Sequence, residues 1–198
     1  MNPDESDLIA LSSLKEKLPS VVSVDENALA KASFDGLKVA FRPAAVVTPK
    51  KASQISEVLE LANEFKIPVT TKGAGSSLTG GATPLKGGWV LDLSCLNTID
   101  IDAGNMLVRC GPGAVISDIQ QKVSEHGLFY PPDPSSKDFC TIGGNIACNA
   151  GGLRCVKYGV TRDYVLALCG YLPTGEYVQW GRETRKFATG YNIRDLWI

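Results

Sequence analysis

Two glycine-bearing loops of this chain carry closely spaced residues that suit the binding of a negatively charged ligand. The first is Lys72-Gly73-Ala74-Gly75-Ser76-Ser77-Leu78-Thr79-Gly80-Gly81, which directly follows an apolar run typical of a strand. Glycine lets the backbone adopt positive φ and brings its N–H groups close to a ligand. A row of such donors, with the hydroxyls of Ser76, Ser77 and Thr79 beside them, suits a diphosphate, and Lys72 would add a positive charge. Taken alone, the loop also fits a glycine-rich surface turn.

Two common phosphate-binding motifs do not fit this loop. Gly73-Ala74-Gly75 begins like a dinucleotide-binding fingerprint, and Asp92 lies about twenty residues further on. That fingerprint requires a helix that opens at the glycines. Residues 79–88 carry four glycines and a proline and cannot form this helix. We therefore interpret Asp92 as a strand residue, and the Walker A spacing is absent as well.

The second loop runs from Tyr130 to about Arg154 and carries three prolines and four glycines. Its two parts read Pro131-Pro132-Asp133-Pro134-Ser135-Ser136 and Cys140-Thr141-Ile142-Gly143-Gly144-Asn145-Ile146-Ala147-Cys148-Asn149-Ala150-Gly151-Gly152. The glycine pair again offers close backbone approach, and the Asn145 amide both donates and accepts hydrogen bonds. We predict a short helix over residues 146–150 with its N-terminus toward a negative group. Two anion-binding loops in one small chain indicate a long dinucleotide lying between two lobes.

Regular elements flank both loops and must position them. The pattern predicts a strand within residues 43–49, a helix over Ser53–Phe65 and a second strand over Ile67–Thr71, which together form a β-α-β unit. Further predicted elements are strands at Trp89–Leu93 and Met106–Cys110, a helix over Val115–His126 and a hairpin over Val165–Trp180. The class is mixed α and β. Residues 1–38 are predicted to be a lead-in segment with a weak helical pattern, and residues 39–198 the domain itself.

Composition excludes several function classes. The chain has 198 residues, of which 44% are hydrophobic and 21% charged, and its net charge is −1. A net charge this close to zero does not indicate binding to nucleic acid or to an anionic membrane. The apolar runs are too short to predict a transmembrane segment. The N-terminal residues are acidic where a targeting peptide is basic, which predicts a cytoplasmic location.

The cysteines and the histidine form no pattern typical of a metal site or a disulfide framework. No two cysteines make a C-x-x-C pair, so we interpret all six as reduced and mostly buried thiols. They are Cys95, Cys110, Cys140, Cys148, Cys155 and Cys169. The single histidine, His126, ends the predicted helix over Val115–His126, where a helix-terminal role is preferred. The sequence therefore predicts no metal ligand and no catalytic residue.

The combined pattern resembles the FAD-binding (PCMH-type) domain of the vanillyl-alcohol oxidase flavoprotein family, and within it the group that contains glycolate oxidase and D-lactate dehydrogenase. The segments that carry the resemblance are Pro43–Val47 with the following helix, Lys72–Gly81, Pro131–Ser136, Thr141–Gly152 and Lys157–Val160. The resemblance covers residues 30–198. It implies a two-lobed α+β domain, with a β-α-β lobe over residues 39–104 and a second α+β lobe over 105–198, and with FAD between them.

The resemblance also implies which residues bind the cofactor. The diphosphate would be held by Gly73, Ala74, Gly75, Ser76, Ser77, Thr79 and Gly80, next to Lys72. The flavin and ribityl side would be lined by Pro132, Asp133, Ser135, Thr141, Gly143, Gly144, Asn145 and Ala147. Gly151, Gly152, Tyr158, Gly159 and Val160 would lie further along the cofactor. Some family members attach the flavin covalently through a histidine in the diphosphate loop. Since Ser76 and Ser77 stand there, we expect noncovalent FAD.

The function implied by this resemblance is the FAD-binding portion of a flavin-dependent 2-hydroxy-acid dehydrogenase or oxidase of the glycolate or D-lactate type. A hydride would pass from the substrate to FAD, and a separate acceptor would take the electrons. Residues 190–198 resemble the segment that precedes a later family motif, so we expect a C-terminally incomplete flavin domain without its substrate domain, inactive by itself. The alternatives are a noncatalytic cofactor-binding or interaction module that needs a second subunit, another member of the same flavoprotein family such as an alkyl-dihydroxyacetone-phosphate synthase-like enzyme, and a folded scaffold that does not retain FAD.

Overall fold

The structure is a computed structural model that describes residues 5–186 and 188–198. Contacts divide the chain into two units. One comprises the residues up to Leu96 together with Tyr171–Tyr177, and the other comprises Asn97–Gly170 together with Val178–Ile198. The predicted α+β class is confirmed, whereas the lobe boundaries stay a prediction. Residues 1–4, on which part of the location prediction rests, lie outside the described residues.

The first unit is built on a sheet with helices on both faces. Its elements are α1 (Glu5–Lys17), β1 (Val22–Ser23), α2 (Glu26–Ala32), β2 (Ala45–Val47), α3 (Ser53–Glu64), β3 (Val69–Lys72) and β4 (Trp89–Asp92). The four strands have the order β1-β2-β4-β3. Strand β1 is antiparallel to β2, whereas β2, β4 and β3 run parallel. The predicted β-α-β unit is therefore present, and Asp92 ends a strand as predicted.

The apolar runs of the central strands follow from burial on both faces. Ala45 and Val47 pack in a cluster with α1 and α3, whereas Val46 packs with Val90 and with Leu29 of α2. Parallel strands covered on both faces read as continuous apolar runs rather than as an alternation. Each large apolar side chain buried here contributes about 1.5–3 kcal/mol to the stability of the unit. This packing fixes the carboxyl end of β3, where the first glycine-bearing loop begins.

Helix α2 was not predicted from the sequence, although its start carries a clear signal. The Asp25 side chain accepts a hydrogen bond from the Ala28 N–H at 3.1 Å, which caps the first turn. The helix ends at Ala32, and Ser33 then donates its hydroxyl to the Ala30 carbonyl. The segment that follows, residues 33–38, leads the chain past the first loop, so α2 has a direct bearing on that loop.

The second unit contains a two-stranded sheet over residues 99–110, most of a second one over residues 167–181, short helices and long connections. Its elements are β5 (Ile99–Asp102), β6 (Leu107–Cys110), α4 (Ile116–Ser124), α5 (Ile142–Ala147), α6 (Cys155–Tyr158) and two 3-10 helices (Thr161–Tyr164 and Ile193–Leu196). Strands β7 (Ala167–Tyr171) and β8 (Tyr177–Gly181) form the predicted hairpin, whose tip belongs to the first unit. Buried Ile116, Ile119 and Val123 of α4 pack with Cys140 and Ile142.

The predicted helix over residues 146–150 is wrong in its placement. Helix α5 covers Ile142–Ala147 instead. It begins earlier because Ile142 is drawn into the core beside α4, while Thr141 keeps an extended conformation. The helix cannot continue through residue 150, since Asn149 adopts a φ of 43°.

The burial predicted for the cysteines is also wrong. Of the six thiols, Cys140 is buried, Cys110 and Cys155 are half-buried, and Cys95, Cys148 and Cys169 are exposed. No disulfide joins any of these six residues. Cys95 lies in a turn, Cys148 caps the end of α5 and Cys169 lies on the exposed face of a strand of the Val165–Trp180 hairpin, so none of these three side chains enters a core. Among the helices of the described residues, none is long and apolar enough to span a membrane.

Candidate cofactor site

The first loop leaves a row of backbone donors without backbone partners. Strand β3 ends at Lys72, and the loop follows at once. In the part of the chain that the structure describes, the N–H groups of residues 73–76 take part in no backbone hydrogen bond. Gly75 has a φ of 63°, a conformation that side-chain-bearing residues rarely adopt. Unpaired N–H groups on a tightly turned backbone form an anion-binding concavity. This arrangement is suited to the diphosphate that the sequence predicts.

The hydroxyl groups of this loop fold back onto the loop itself. The Ser77 and Thr79 side-chain oxygens are 2.8 Å apart, and the Thr79 N–H donates to Ser77 Oγ at 3.2 Å. The Gly81 N–H donates to Thr79 Oγ1 at 3.4 Å. These bonds hold the turn from 77 to 81 in shape, while Ser76 and Gly80 remain half-buried beside it.

The Lys72 ammonium group is engaged by backbone carbonyl oxygens outside the first loop. It is buried, and its Nζ donates to the carbonyl oxygens of Lys31 at 3.1 Å, Ala32 at 3.3 Å and Phe34. Burial is the main reason that the pKa of Lys72 lies below its ordinary value, and the nearby carboxylates of Asp92 and Asp35 oppose that shift. The predicted direct charge on a diphosphate therefore does not match the contacts of this side chain.

In the second loop, two buried polar side chains lack partners. Thr141 Oγ1 and Asn145 Nδ2 have no hydrogen-bond partner among the described residues, although both side chains are buried. Unpaired buried polar groups are uncommon and costly, and they often mark a site where a ligand completes the bonding. Asn145 lies beside the Cys140 thiol. Burial raises the pKa of this thiol, and the side chains of Ser136 and Asn145 oppose that shift. Gly144 and Ala147 are exposed on the same short helix.

Gly143 precedes Gly144 on the same helix, and a side chain at this position would collide with Pro112. A Cβ at Gly143 would lie 2.7 Å from Pro112 Cβ and 2.9 Å from the Pro112 carbonyl oxygen. The Gly143 N–H donates to that same oxygen at 2.9 Å. By contrast, a Cβ at Gly144 would meet nothing nearer than Thr141 Oγ1 at 3.6 Å. Gly143 thus allows α5 to pack on the turn at Pro112, and Gly144 leaves open space on the exposed side.

The start of the second loop is held by ion pairs and by a side chain of α4. The buried Asp133 carboxylate accepts from Lys137 Nζ at 2.9 Å and lies 3.5 Å from Arg154 Nε. The hydrogen bond from Lys137 is the main reason that the pKa of Asp133 lies below its ordinary value. Gln120 donates to the carbonyl oxygen of Pro132 at 2.8 Å. Ser135 is exposed nearby. Sequence reasoning missed Gln120 because only its place on α4 brings it to the loop.

The last predicted positions form a tightly bonded turn. A Cβ at Gly151 would contact Val160 at 3.6 Å. The Val160 N–H donates to the Asp163 carboxylate at 2.7 Å, and the Tyr158 carbonyl accepts from the Tyr164 hydroxyl at 2.5 Å. Gly159 has a φ of 87°, and the Asp163 carboxylate leaves no room for a side chain there. These contacts order the end of the second loop.

The described residues offer no group of histidine, cysteine and carboxylate side chains that could hold a metal ion. The partnerless polar groups described in the two loops are backbone N–H groups, a hydroxyl and an amide, which are groups of the kind that can bind phosphates and a heteroaromatic ring. Residues 43–181 match the family described as the FAD binding domain. The chain belongs to this FAD-binding domain family. The predicted cofactor class is thereby confirmed.

Similar proteins carry names from the predicted group. The chain is 44% identical over 158 residues to a D-lactate dehydrogenase of Anaerostipes hadrus, a match that covers 79% of this chain and 33% of the relative. It is 42% identical over 157 residues to the glycolate oxidase subunit GlcD of Bacillus subtilis, with 79% and 33% covered. The chain thus spans about a third of the length of these relatives. These names confirm the predicted resemblance.

Solved structures confirm the fold. An alkyldihydroxyacetonephosphate synthase superposes with a TM-score of 0.81 at 21% sequence identity, covering 96% of this chain and 40% of the other. The 6-hydroxy-D-nicotine oxidase of Arthrobacter nicotinovorans superposes with a TM-score of 0.71 at 24% identity, covering 83% and 36%. At these identities the likeness shows the fold of the FAD-binding domain and nothing about substrate.

Proposed function

We propose that this chain is the FAD-binding portion of a flavin-dependent oxidoreductase that acts on small 2-hydroxy acids of the glycolate or D-lactate type. The names of the similar proteins support the substrate class. The chemistry that bound FAD supplies is acceptance of a hydride from the carbon that carries the substrate hydroxyl. A separate acceptor would then take the electrons. A second subunit belongs to the same proposal, since one relative is named as a subunit.

The observation that carries the proposal for this chain is the pair of unpaired polar groups in the second loop. Thr141 Oγ1 and Asn145 Nδ2 lie one helical turn apart at the start of α5, and both lack a partner among the described residues. Heteroatoms of a flavin and hydroxyls of a ribityl chain are hydrogen-bonding groups of the kind that would satisfy them. The proposed flavin-side residues are therefore Thr141, Gly144, Asn145 and Ala147, with Pro132, Asp133, Ser135 and Gly143 shaping the surrounding loop.

The first loop is proposed to hold the diphosphate of the same cofactor. The N–H groups of residues 73–76 are the donors, and the turn closed by Ser77 and Thr79 keeps them in place. No histidine occupies either loop, and we therefore propose that FAD is held by noncovalent contacts. In this arrangement the protein orients the flavin and sets its surroundings, which is the usual share of a cofactor-binding domain.

A single isosteric substitution tests the flavin side. Thr141→Val removes a buried hydroxyl that has no partner among the described residues, so the free energy of unfolding of the cofactor-free protein should stay the same or rise by about 1 kcal/mol. The dissociation constant for FAD should rise at the same time by roughly tenfold, the change expected when one hydrogen bond to the ligand is lost. Urea unfolding and a titration followed by flavin fluorescence measure the two quantities.

Thr161→Val is the matched control. Thr161 is fully buried, and its hydroxyl donates to the Ala150 carbonyl oxygen at 2.7 Å. Removing this hydroxyl deletes one buried hydrogen bond, while the Thr161 N–H still donates to the same oxygen at 3.1 Å, so the variant should lose about 1 kcal/mol of stability. If Thr141→Val instead destabilises the cofactor-free chain like Thr161→Val and binds FAD as the parent does, the Thr141 hydroxyl has a structural role and the proposed flavin contact is wrong.

A further inference from the structure

The segment that follows α2 lies directly against the backbone of the first loop. The Gly36 N–H donates to the Ser77 carbonyl oxygen at 2.9 Å. A Cβ at Gly36 would lie 2.8 Å from that oxygen and 2.9 Å from the carbonyl oxygen of Ser76. The two backbones therefore touch without an intervening side chain. The shape of the loop depends on where residues 33–38 are held.

One buried side chain contacts both of these segments. A Cβ at Gly75 would lie 2.8 Å from Lys72 Cε and 3.3 Å from Lys72 Nζ, so the loop rests on the lysine stem. The same Nζ donates to the carbonyl oxygens of Lys31, Ala32 and Phe34. Lys72 thus lies beneath the loop and is bonded to the end of α2 and the turn after it.

The hydrogen-bonding capacity of Lys72 is fully used by these contacts. An ammonium group has three donors and no acceptor, and three carbonyl oxygens accept from it here. The last carbonyls of a helix lack partners within the helix and carry partial negative charge, which favours a cation at this end of α2. The charged groups that face Lys72 are Asp35, Asp92 and Lys38. Asp35 is buried, and its Oδ2 has no hydrogen-bond partner among the described residues.

We propose that Lys72 is a positioning residue of the cofactor site. Its ammonium group holds residues 31–34 against the loop at Gly75. This contact keeps the backbone donors of residues 73–76 in the orientation that binds a diphosphate. It makes no direct contact with the diphosphate. The inference rests on the proposed function of the first loop, and it adds the side chain that keeps the loop in shape before a ligand arrives.

Hydrogen exchange on the cofactor-free 198-residue chain tests, without FAD, whether Lys72 holds residues 31–34 against the loop. In Lys72→Met, amide exchange should accelerate by roughly 10- to 100-fold at Ser33, Gly36 and Thr79, whose N–H groups are hydrogen-bonded in these two segments. This range corresponds to the loss of a charged hydrogen bond. Lys72→Arg should restore protection, because a guanidinium group can also donate to several carbonyls. Lys38→Met is the matched control, since Lys38 is an exposed lysine on the same turn, 4.5 Å from the Phe34 ring centroid. Its removal should leave the exchange rates at Ser33, Gly36 and Thr79 unchanged.

FAD titrations at several salt concentrations separate positioning from direct contact. In Lys72→Met the dissociation constant should rise by about 10- to 100-fold, while its dependence on salt should equal that of the parent chain, because no charge on the ligand loses its partner. A loss of salt dependence together with affinity would show that Lys72 contacts the diphosphate, and would overturn the proposal. Unchanged exchange at Ser33, Gly36 and Thr79 would overturn it as well.

If the parent chain does not bind FAD, the proposed function of the loop fails. The exchange experiment still decides whether Lys72 holds residues 31–34 against the loop. If Lys72→Met does not fold by circular dichroism, Gly36→Ala provides the second variant. It pushes residues 33–38 away from Ser77 while leaving Lys72 intact, and the N–H groups of residue 36 and Thr79 should exchange faster. A Gly36→Ala chain with unchanged exchange contradicts the proposed dependence of the loop on this contact.

Discussion

The carbonyl oxygen of Asp133 lies against the α-carbon of Gly152 so closely that a Cβ at residue 152 would sit 2.1 Å from it. The Leu153 N–H reaches the same oxygen at 3.4 Å, and Gly152 has a φ of 143°. The beginning and the end of the second loop therefore meet at this point. Because the helix α5 and its unpaired Thr141 and Asn145 lie between these two ends in the sequence, the contact closes the loop that carries them.

Gly152→Ala should destabilise the chain strongly, because the collision is with backbone that cannot move without opening the loop. We expect a loss of about 2–4 kcal/mol in the free energy of unfolding, measured by urea denaturation. Gly127→Ala is the control. Gly127 has a φ of 71°, but a Cβ there meets nothing within 4 Å, so only the conformational strain of about 1–2 kcal/mol applies. Equal losses in the two variants would contradict the contact at Asp133.

Gly144→Asp should separate cofactor binding from folding. Gly144 is an exposed position of α5 with space for a side chain, so stability should change by no more than about 0.5 kcal/mol. The added bulk and charge would lie beside the proposed flavin contacts, and FAD affinity in a fluorescence titration should fall by more than roughly tenfold. Ser124→Asp adds the same charge at an exposed helical position outside both loops and should bind as the parent does. If Gly144→Asp binds FAD with the affinity of the parent, Gly144 is not part of the cofactor site.

Asp133 should make the stability of the chain depend on pH in a definite direction. Its pKa is held below the ordinary value mainly by the hydrogen bond from Lys137. A carboxyl group whose pKa is lower in the folded state stabilises the fold above its unfolded pKa, about 4, and loses that contribution as the pH falls through the lowered folded value. The parent should therefore be more stable than Asp133→Asn in urea at pH 7, and the difference should shrink toward pH 3 and below.

The control for this prediction is Asp138→Asn, which removes the same charge from an exposed position on the same loop. Its unfolding midpoint should differ little from that of the parent at either pH. A stability difference between the parent and Asp133→Asn that stays constant from pH 7 to pH 3 would show that the ion pair with Lys137 is not its source.

Much of the fold follows from local patterns in the sequence. The strands β2, β3 and β4, the helix α3 between the first two and both glycine-bearing loops were predicted because apolar spacing and glycine or proline punctuation act over a few residues. Strand β5 was missed, since Ile99-Asp100-Ile101-Asp102 is short and half charged. Helix α2 was missed although Asp25 caps it, because only its packing on Val46 and Val90 makes so short a helix stable.

The two loops and the class of ligand that such loops bind can be read from the amino-acid sequence, because backbone donors and glycines carry that information locally. The direction of the Lys72 charge cannot be read in this way, since its partners Lys31, Ala32 and Phe34 lie about forty residues away along the chain. Tertiary packing also places Gly143 on Pro112 and buries the Thr141 hydroxyl with no partner among the described residues. Contacts between distant segments depend on how the helices pack on their sheets, and no local spacing of residues encodes that packing.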